Sequence, residues 1–149
     1  VATSSHRAAF ELKTARHGEI FSLFDAVVCG DDPEVTHGKP EPDIFLAAAR
    51  RLPGGPYVPS EILVFEDAHN GVQAALAAGM RVCWVPDPRA LDLPGGRDGG
   101  HGAHEVLLTL EDFRPERFAL PAFAAAGGAE VREDVVTGDS FAAPPSASV

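Results

Sequence analysis

A short apolar run that ends in two adjacent carboxylates places the strongest constraint on the fold of this chain. Residues 62–65 have the pattern of a strand buried on both faces, and Glu66 and Asp67 follow it directly. A polar turn then leads into a helical run over residues 72–78. Because open α/β sheets bind their ligands outside the carboxyl ends of the strands, this turn is a candidate ligand site.

The same alternation of strand and helix patterns covers most of the chain. Strand patterns occupy residues 1–3, 26–29, 62–65, 80–85 and 106–108, and helical patterns occupy residues 4–16, 20–24, 42–52 and 72–78. The alternation predicts an α/β fold with a mostly parallel sheet and right-handed crossovers. Residues 122–149 are rich in Ala, Gly, Pro and Ser, so we expect one domain over residues 1–121 and a disordered tail after it.

The balance of charge limits the partners of the chain. A formal net charge of −10 over 149 residues argues against a nucleic-acid polymer or an anionic membrane as partner. The sequence has no apolar run near the ~20 residues of a membrane span and opens on no charged-then-apolar leader, so we expect a cytoplasmic protein. Cys29 and Cys83 each lie in an apolar strand pattern, which favours buried reduced thiols, with a disulfide as the alternative.

The adjacent carboxylates leave two interpretations open. If Glu66 and Asp67 both lay within the strand, their side chains would point to opposite faces, so at least one must lie just past its end to share a metal. Two hard oxygen donors at this place suit Mg²⁺, which leaves its other positions to water and phosphate. The alternative is an acidic pair at a helix N-terminus, stabilised by the dipole of that helix.

Three further residues are candidates for the same edge of the sheet. Lys39 precedes a predicted helix, and its ammonium would offset the charge of a phosphate and two carboxylates in one small site. The alternative for Lys39 is a solvated surface lysine. Thr3 and Ser4 follow the first strand pattern, where their hydroxyl or backbone N–H groups would donate to a phosphate oxygen or cap the first helix.

The order Thr3, Lys39, Glu66, Asp67 resembles motifs two, three and four of the haloacid dehalogenase superfamily of Mg²⁺-dependent phosphohydrolases. Within that superfamily the chain is most similar to the pseudouridine-5′-phosphatase family, through residues 30–35, 38–46, 63–67, 74–80 and 112–121. The resemblance implies a partial Rossmann-like three-layer core, a phosphomonoester hydrolase, and a small phosphorylated metabolite, a nucleoside or sugar monophosphate, as its partner. It also implies a monomer if the protein is complete.

The resemblance also implies a role for each matching residue. Thr3 and Ser4 would bind the phosphate, Lys39 would offset charge on the nucleophile and the phosphate, and Asp67 with Glu66 would hold Mg²⁺. In the family an aspartate attacks phosphorus, and water hydrolyses the aspartyl-phosphate that results. Positioning and charge neutralisation lower the barrier of such reactions.

The chain departs from the family pattern at its beginning. The family's nucleophile and its acid/base aspartate share an Asp-x-Asp motif, and this sequence contains no such motif. The first strand and the helical cap would be missing, and the family's strand order, 5-4-1-2-3, places that strand between residues 1–3 and 62–65. We therefore expect a truncated, marginally stable chain without phosphatase activity of its own.

The sequence leaves three other hypotheses open. The chain is alternatively part of a sugar or polyol phosphate phosphatase of the same superfamily. A third reading is a catalytically dead interaction module that pairs with a partner strand. A flavodoxin-like binding domain is a distant fourth, because the chain lacks a glycine-rich dinucleotide turn.

Overall fold

The structure, a computed structural model, describes residues 1–92, 94 and 100–124. Residues 122–124 have no helix or strand, and the rest of the tail predicted over residues 122–149 lies outside the described residues. The division of the chain into a domain and a tail therefore stays a prediction.

Helices and strands alternate through the described residues. The strands are β1 (Ala2–Thr3), β2 (Val28–Cys29), β3 (Leu63–Glu66), β4 (Arg81–Trp84) and β5 (Glu105–Val106). The α-helices are α1 (Arg7–Thr14), α2 (Gly18–Phe21), α3 (Asp43–Arg51) and α4 (His69–Ala77). Short 3₁₀ turns occupy Pro59–Glu61, Pro88–Asp92, Gly100–Gly102, Leu110–Asp112 and Pro115–Phe118. No helix of the described residues has the length and apolar character that crossing a membrane requires.

The strands form two parallel sheets. β1 pairs with β2, with Thr3 opposite Cys29, and β4 lies between β3 and β5, with Glu66 opposite Trp84. Parallel strands joined by helices confirm the predicted α/β fold class. Within the described residues β1 and β3 each have one edge without a strand partner, and both strands line a shared groove of about 300 Å³.

One apolar core joins the two sheets. Val28 of β2, Val64 of β3 and Trp84 of β4 belong to the same buried cluster. Ile44 and Phe45 of α3 also belong to this cluster, because the apolar face of the helix packs against the sheets. Burying each of these large side chains contributes about 2 kcal/mol. The core therefore holds the two sheets together, since in the described part of the chain β1 and β3 are not hydrogen-bonded neighbours.

Strand β3 differs from its prediction in two respects. The sequence predicted burial on both faces, whereas Phe65 is 45% exposed. No described strand covers the outer edge of β3, so the Phe65 ring relies on Phe113, whose centroid lies 4.8 Å away. The strand also ends one residue later than predicted, which places Glu66 inside it and Asp67 just past its end.

Candidate active site

Lys39 and Glu66 form a buried ion pair at the carboxyl end of β3. The Lys39 ammonium contacts Glu66 Oε1, and the two side chains are only 12% and 7% exposed. The ammonium also lies 3.5 Å from the Ala2 carbonyl oxygen of β1 and 4.7 Å from the centre of the Phe45 ring. Lys39 is therefore a buried cation between the two sheets, and the alternative of a solvated surface lysine is wrong.

The other oxygen of Glu66 faces the beginning of α4. Glu66 Oε2 accepts hydrogen bonds from the backbone N–H groups of Asp67 and Ala68, both at 3.2 Å. Gly71 makes room for this carboxylate, since a Cβ at that position would lie 2.0 Å from the Glu66 carboxyl carbon. Glu66 thus bonds the two backbone N–H groups that precede α4 while it also holds Lys39, whereas α4 itself has no acidic residue in its first turn and no side-chain cap.

Asp67 lies just past β3 and is exposed. Its backbone carbonyl accepts a hydrogen bond from the Trp84 indole Nε1 at 3.0 Å. Its carboxylate is free to meet a ligand in solution, unlike that of Glu66. Direct binding of a metal by Asp67 and Glu66 together stays a prediction.

Thr3 is the last residue of β1, and Ser4 follows it in the bend after the strand. Thr3 Oγ1 accepts a hydrogen bond from the Ser5 backbone N–H at 3.2 Å. The first helix is instead preceded by His6, and its Arg7 N–H donates to Asp31 Oδ1 at 2.9 Å, so Thr3 and Ser4 do not cap it. The predicted phosphate-binding roles of Thr3 and Ser4 stay predictions.

Two residues that the sequence reasoning missed shape the loops of the site. Asp43 Oδ2 accepts from the Thr36 and His37 backbone N–H groups at 3.0 and 2.9 Å, which fixes the chain just before Lys39. The bond from the His37 backbone, followed by that from Thr36, lowers the pKa of Asp43. Gly30 allows the turn after β2 to approach Ser4, because a Cβ there would lie 2.5 Å from the Ser4 oxygen.

All the predicted site residues line one open cavity of about 500 Å³. Its lining residues are Ala2, Thr3, Ser4, Ser5, Lys39, Phe65, Glu66, Asp67, Ala68, Asn70 and Gly71. One ammonium and two carboxylates give the cavity a formal charge of −1, so a phosphate dianion would need a further cation there. Asn70 is a polar lining residue that the sequence reasoning had not selected.

The donor set of this cavity fits Mg²⁺. The described residues contain no group of three or more His, Cys, Asp or Glu side chains suited to enclose a metal. Mg²⁺ does not need such a cage, because it commonly takes one or two carboxylates and fills its other positions with water and phosphate oxygens. Asp67 offers an exposed carboxylate, and Thr3 and Ser4 line the same cavity.

The parallel strands and the charged cavity at their carboxyl edge define an α/β protein with a candidate ligand site where such sheets bind their ligands. Solved structures share this fold. The structure of CbbY from Rhodobacter sphaeroides in complex with phosphate matches 75% of this chain and 46% of its own, with 29% identity and a TM-score of 0.60. A haloacid dehalogenase (HAD) hydrolase of family IA, variant 3, from Entamoeba histolytica has the same fold at 22% identity and a TM-score of 0.60.

The family model of haloacid dehalogenase-like hydrolases matches residues 1–79, and the chain belongs to that family. It is 55% identical over 124 residues to a probable pseudouridine-5′-phosphatase of Drosophila melanogaster. It is 54% identical over 123 residues to the mitochondrial (DL)-glycerol-3-phosphatase 1 of Arabidopsis thaliana. Each match covers 83% of this chain but only 51% and 40% of the respective relative, so the chain spans about half of their length.

Proposed function

We propose that this chain supplies the carboxyl-terminal half of the active site of a Mg²⁺-dependent phosphomonoester hydrolase of the pseudouridine-5′-phosphatase type. The observation that supports it most is the common cavity of Thr3, Lys39, Glu66 and Asp67 at the carboxyl edge of the sheets. The substrate would be a small phosphorylated metabolite, a nucleoside monophosphate in the first instance. The family membership and the similarity to a probable pseudouridine-5′-phosphatase support this class.

Each residue of the cavity has a role in this proposal. Thr3 and Ser4 would donate hydrogen bonds to the phosphoryl oxygens, and Lys39 would neutralise charge on the phosphate and the attacking carboxylate. Asp67 would hold Mg²⁺, which supplies further charge neutralisation on the phosphate when it is bound. Glu66 would hold the Lys39 ammonium in position. Both of its carboxylate oxygens already have protein partners, the Lys39 ammonium and the Asp67 backbone N–H.

The nucleophile would come from outside this sequence. The 149 residues contain no Asp-x-Asp motif, and β1 and β3, each with one edge unpaired among the described residues, line one groove of about 300 Å³. A strand that entered this groove would end next to Lys39 and Asp67, where an aspartate could attack phosphorus. We therefore propose that the chain by itself is inactive.

Two alternatives have support of their own. The glycerol-3-phosphatases of Arabidopsis thaliana, 54% and 52% identical, favour a polyol phosphate as the substrate. The open groove between β1 and β3 favours an interaction module that receives a partner strand. The first alternative changes the substrate and keeps the site, whereas the second needs no catalysis.

A chimera tests the proposal directly. This chain would be joined to the part of the Drosophila relative that lies outside the match, and phosphate release from pseudouridine 5′-phosphate and glycerol 3-phosphate would be measured. We expect Mg²⁺-dependent release from the chimera, a loss of about 100-fold or more in Asp67→Asn and Lys39→Met chimeras, and no release from the 149-residue chain alone.

Lys13→Met is the matched control in the chimera, because Lys13 is an exposed lysine that contacts only Ser5 Oγ at 3.0 Å among its described hydrogen bonds. Activity that persists without a divalent metal, or in the Lys39→Met chimera, would contradict the proposed roles. Release of phosphate by the isolated chain would contradict its proposed inactivity. Faster release from glycerol 3-phosphate would favour the first alternative.

A further inference from the structure

Trp84 reaches across from the neighbouring strand to the turn that carries Asp67. Its side chain is fully buried, and its indole Nε1 donates to the Asp67 carbonyl oxygen at 3.0 Å. The two residues are 17 positions apart in sequence, and the register of β3 and β4, with Glu66 opposite Trp84, brings them together. A buried N–H with one partner is a fixed contact, since breaking it leaves an unsatisfied donor.

This bond completes a two-sided restraint on the Asp67 backbone. The Asp67 N–H donates to Glu66 Oε2 at 3.2 Å, and the Asp67 carbonyl accepts from Trp84. Both backbone polar groups of this residue are therefore occupied, on opposite sides, while its side chain stays exposed. A loop carboxylate with a fixed backbone loses little conformational freedom when it binds a cation.

The indole itself is held in place by a second loop. His101 packs edge-on against Trp84, with the ring centroids 4.8 Å apart, and Gln73 of α4 donates to the His101 carbonyl at 2.8 Å. Gly100, next to His101, lets the same loop pack closely on Val106 of β5, because a Cβ there would lie 2.3 Å from Val106 Cγ2. The loop that packs against the indole is thus itself held by α4 and by β5.

We propose that Trp84 is a positioning residue that holds Asp67 ready to bind a divalent cation. The inference rests on the proposed function, which assigns Mg²⁺ to Asp67, and adds the residue that fixes it. Partners that orient a metal ligand through one hydrogen bond typically change metal affinity by about 10-fold or more. Loss of the indole N–H should therefore weaken cation binding without altering the carboxylate.

Replacing Trp84 with benzothienylalanine tests the role with almost no change of shape, because sulfur takes the place of the N–H. Mn²⁺ serves as the probe, and the readout is the Mn²⁺ concentration that halves the Asp67 amide NMR signal of the 149-residue chain. We expect that concentration to rise about 10-fold in the variant, while the midpoint of urea unfolding stays near that of the wild type. Trp84→Phe is the second variant, made by ordinary mutagenesis.

Two controls separate the possible failures. Phe118→Leu removes buried volume from the far side of β4, so we expect it to lower stability and leave the Mn²⁺ concentration unchanged. The Asp67→Asn variant measures how much Mn²⁺ bound at other acidic groups broadens the amide NMR signal of residue 67. Equal Mn²⁺ concentrations in wild type and both Trp84 variants would overturn the positioning role alone. Equal broadening in wild type and Asp67→Asn would overturn the metal site of the proposed function as well.

Discussion

The ammonium of Lys39 and the carboxylate of Glu66 meet where the two sheets of the molecule face each other. Lys39 approaches β1 through the Ala2 carbonyl, and Glu66 is the last residue of β3. Both side chains are nearly inaccessible, so neither charge can be solvated if its partner is removed. The pair is therefore both an element of the candidate site and a polar link across the groove.

Removing the Lys39 ammonium should destabilise the fold. Lys39→Met leaves a buried carboxylate with only two backbone N–H partners, and we expect the free energy of unfolding to fall by about 3 kcal/mol. Urea unfolding followed by circular dichroism measures it. Lys13→Met, at an exposed lysine, should change the free energy by less than about 0.5 kcal/mol. Equal losses in the two variants would show that the Lys39 pair is not buried in solution.

A methyl group at Gly71 should displace the Glu66 carboxylate. Because the added Cβ would lie 2.0 Å from the carboxyl carbon, Glu66 must give up its contacts with Lys39 or with the start of α4. We expect Gly71→Ala to lower the free energy of unfolding by about 1–3 kcal/mol, although alanine favours a helix by about 1 kcal/mol. Gly18→Ala is the control, since its Cβ would meet nothing within 4 Å. A Gly71→Ala chain more stable than the wild type would refute this packing.

The two cysteines should report on the two sheets separately. Cys29 lies in β2 and Cys83 in β4, and both are free and fully buried, as the sequence predicted. Burial raises the pKa of Cys29, and burial followed by the charge of Glu105 raises the pKa of Cys83 to about 11. We expect both thiols to resist a disulfide reagent at neutral pH until urea unfolds the chain, because the thiolate is the reactive form.

Single-thiol variants show whether the two sheets unfold together. In Cys29→Ser and Cys83→Ser chains the remaining thiol should become reactive at the same urea concentration, because one core joins both sheets. Rapid labelling of Cys29 in the absence of urea, with Cys83 protected, would mean that only the β3–β4–β5 sheet is formed.

Arg51 should make the free energy of unfolding depend on pH. Its guanidinium donates to Asp32 at 2.6 and 2.7 Å and to Glu34 at 2.5 Å, and these bonds hold the pKa of both carboxyls below their usual values. A carboxyl group whose pKa is lowered in the folded state adds stability at pH values above its ordinary pKa. That added stability is lost as the pH falls through the lowered pKa. The difference in unfolding free energy between wild type and Arg51→Gln should therefore be largest near about pH 7 and shrink below about pH 4.

Arg16→Gln, at an exposed arginine of another segment, is the control for that experiment. Its difference from the wild type should stay constant over the same pH range. A difference for Arg51→Gln that is equally constant would show that the guanidinium does not contact the two carboxylates in solution.

The sequence predicts the residues of the site better than their contacts. Thr3, Lys39 and Asp67 follow from strand ends and helix starts, because parallel strands bring their carboxyl ends to one edge. The inward turn of Glu66 does not follow, since it depends on the space left by Gly71 and on a lysine 27 residues away. Gly71 was predicted in the turn before a helix over residues 72–78, whereas α4 begins at His69 and includes it, so the sequence pattern did not indicate close packing there.

The contact between Trp84 and Asp67 was beyond the reach of local patterns. Trp84 was predicted only as part of an apolar strand, and the direction of its N–H depends on packing by His101 from a distant loop. The exposure of Phe65 was missed for a related reason. An apolar run does not show which strand has an uncovered edge.

The edges of β1 and β3 that no strand of the described residues covers determine how strictly an incoming strand would be aligned. A strand between them would form a ladder of hydrogen bonds with each of the two strands, so both ladders would constrain its register. A slip of one residue would misplace both ladders and turn every side chain to the opposite face. The groove is therefore selective for one alignment as well as for an apolar strand, and a single residue at the end of that strand would be delivered beside Lys39 and Asp67.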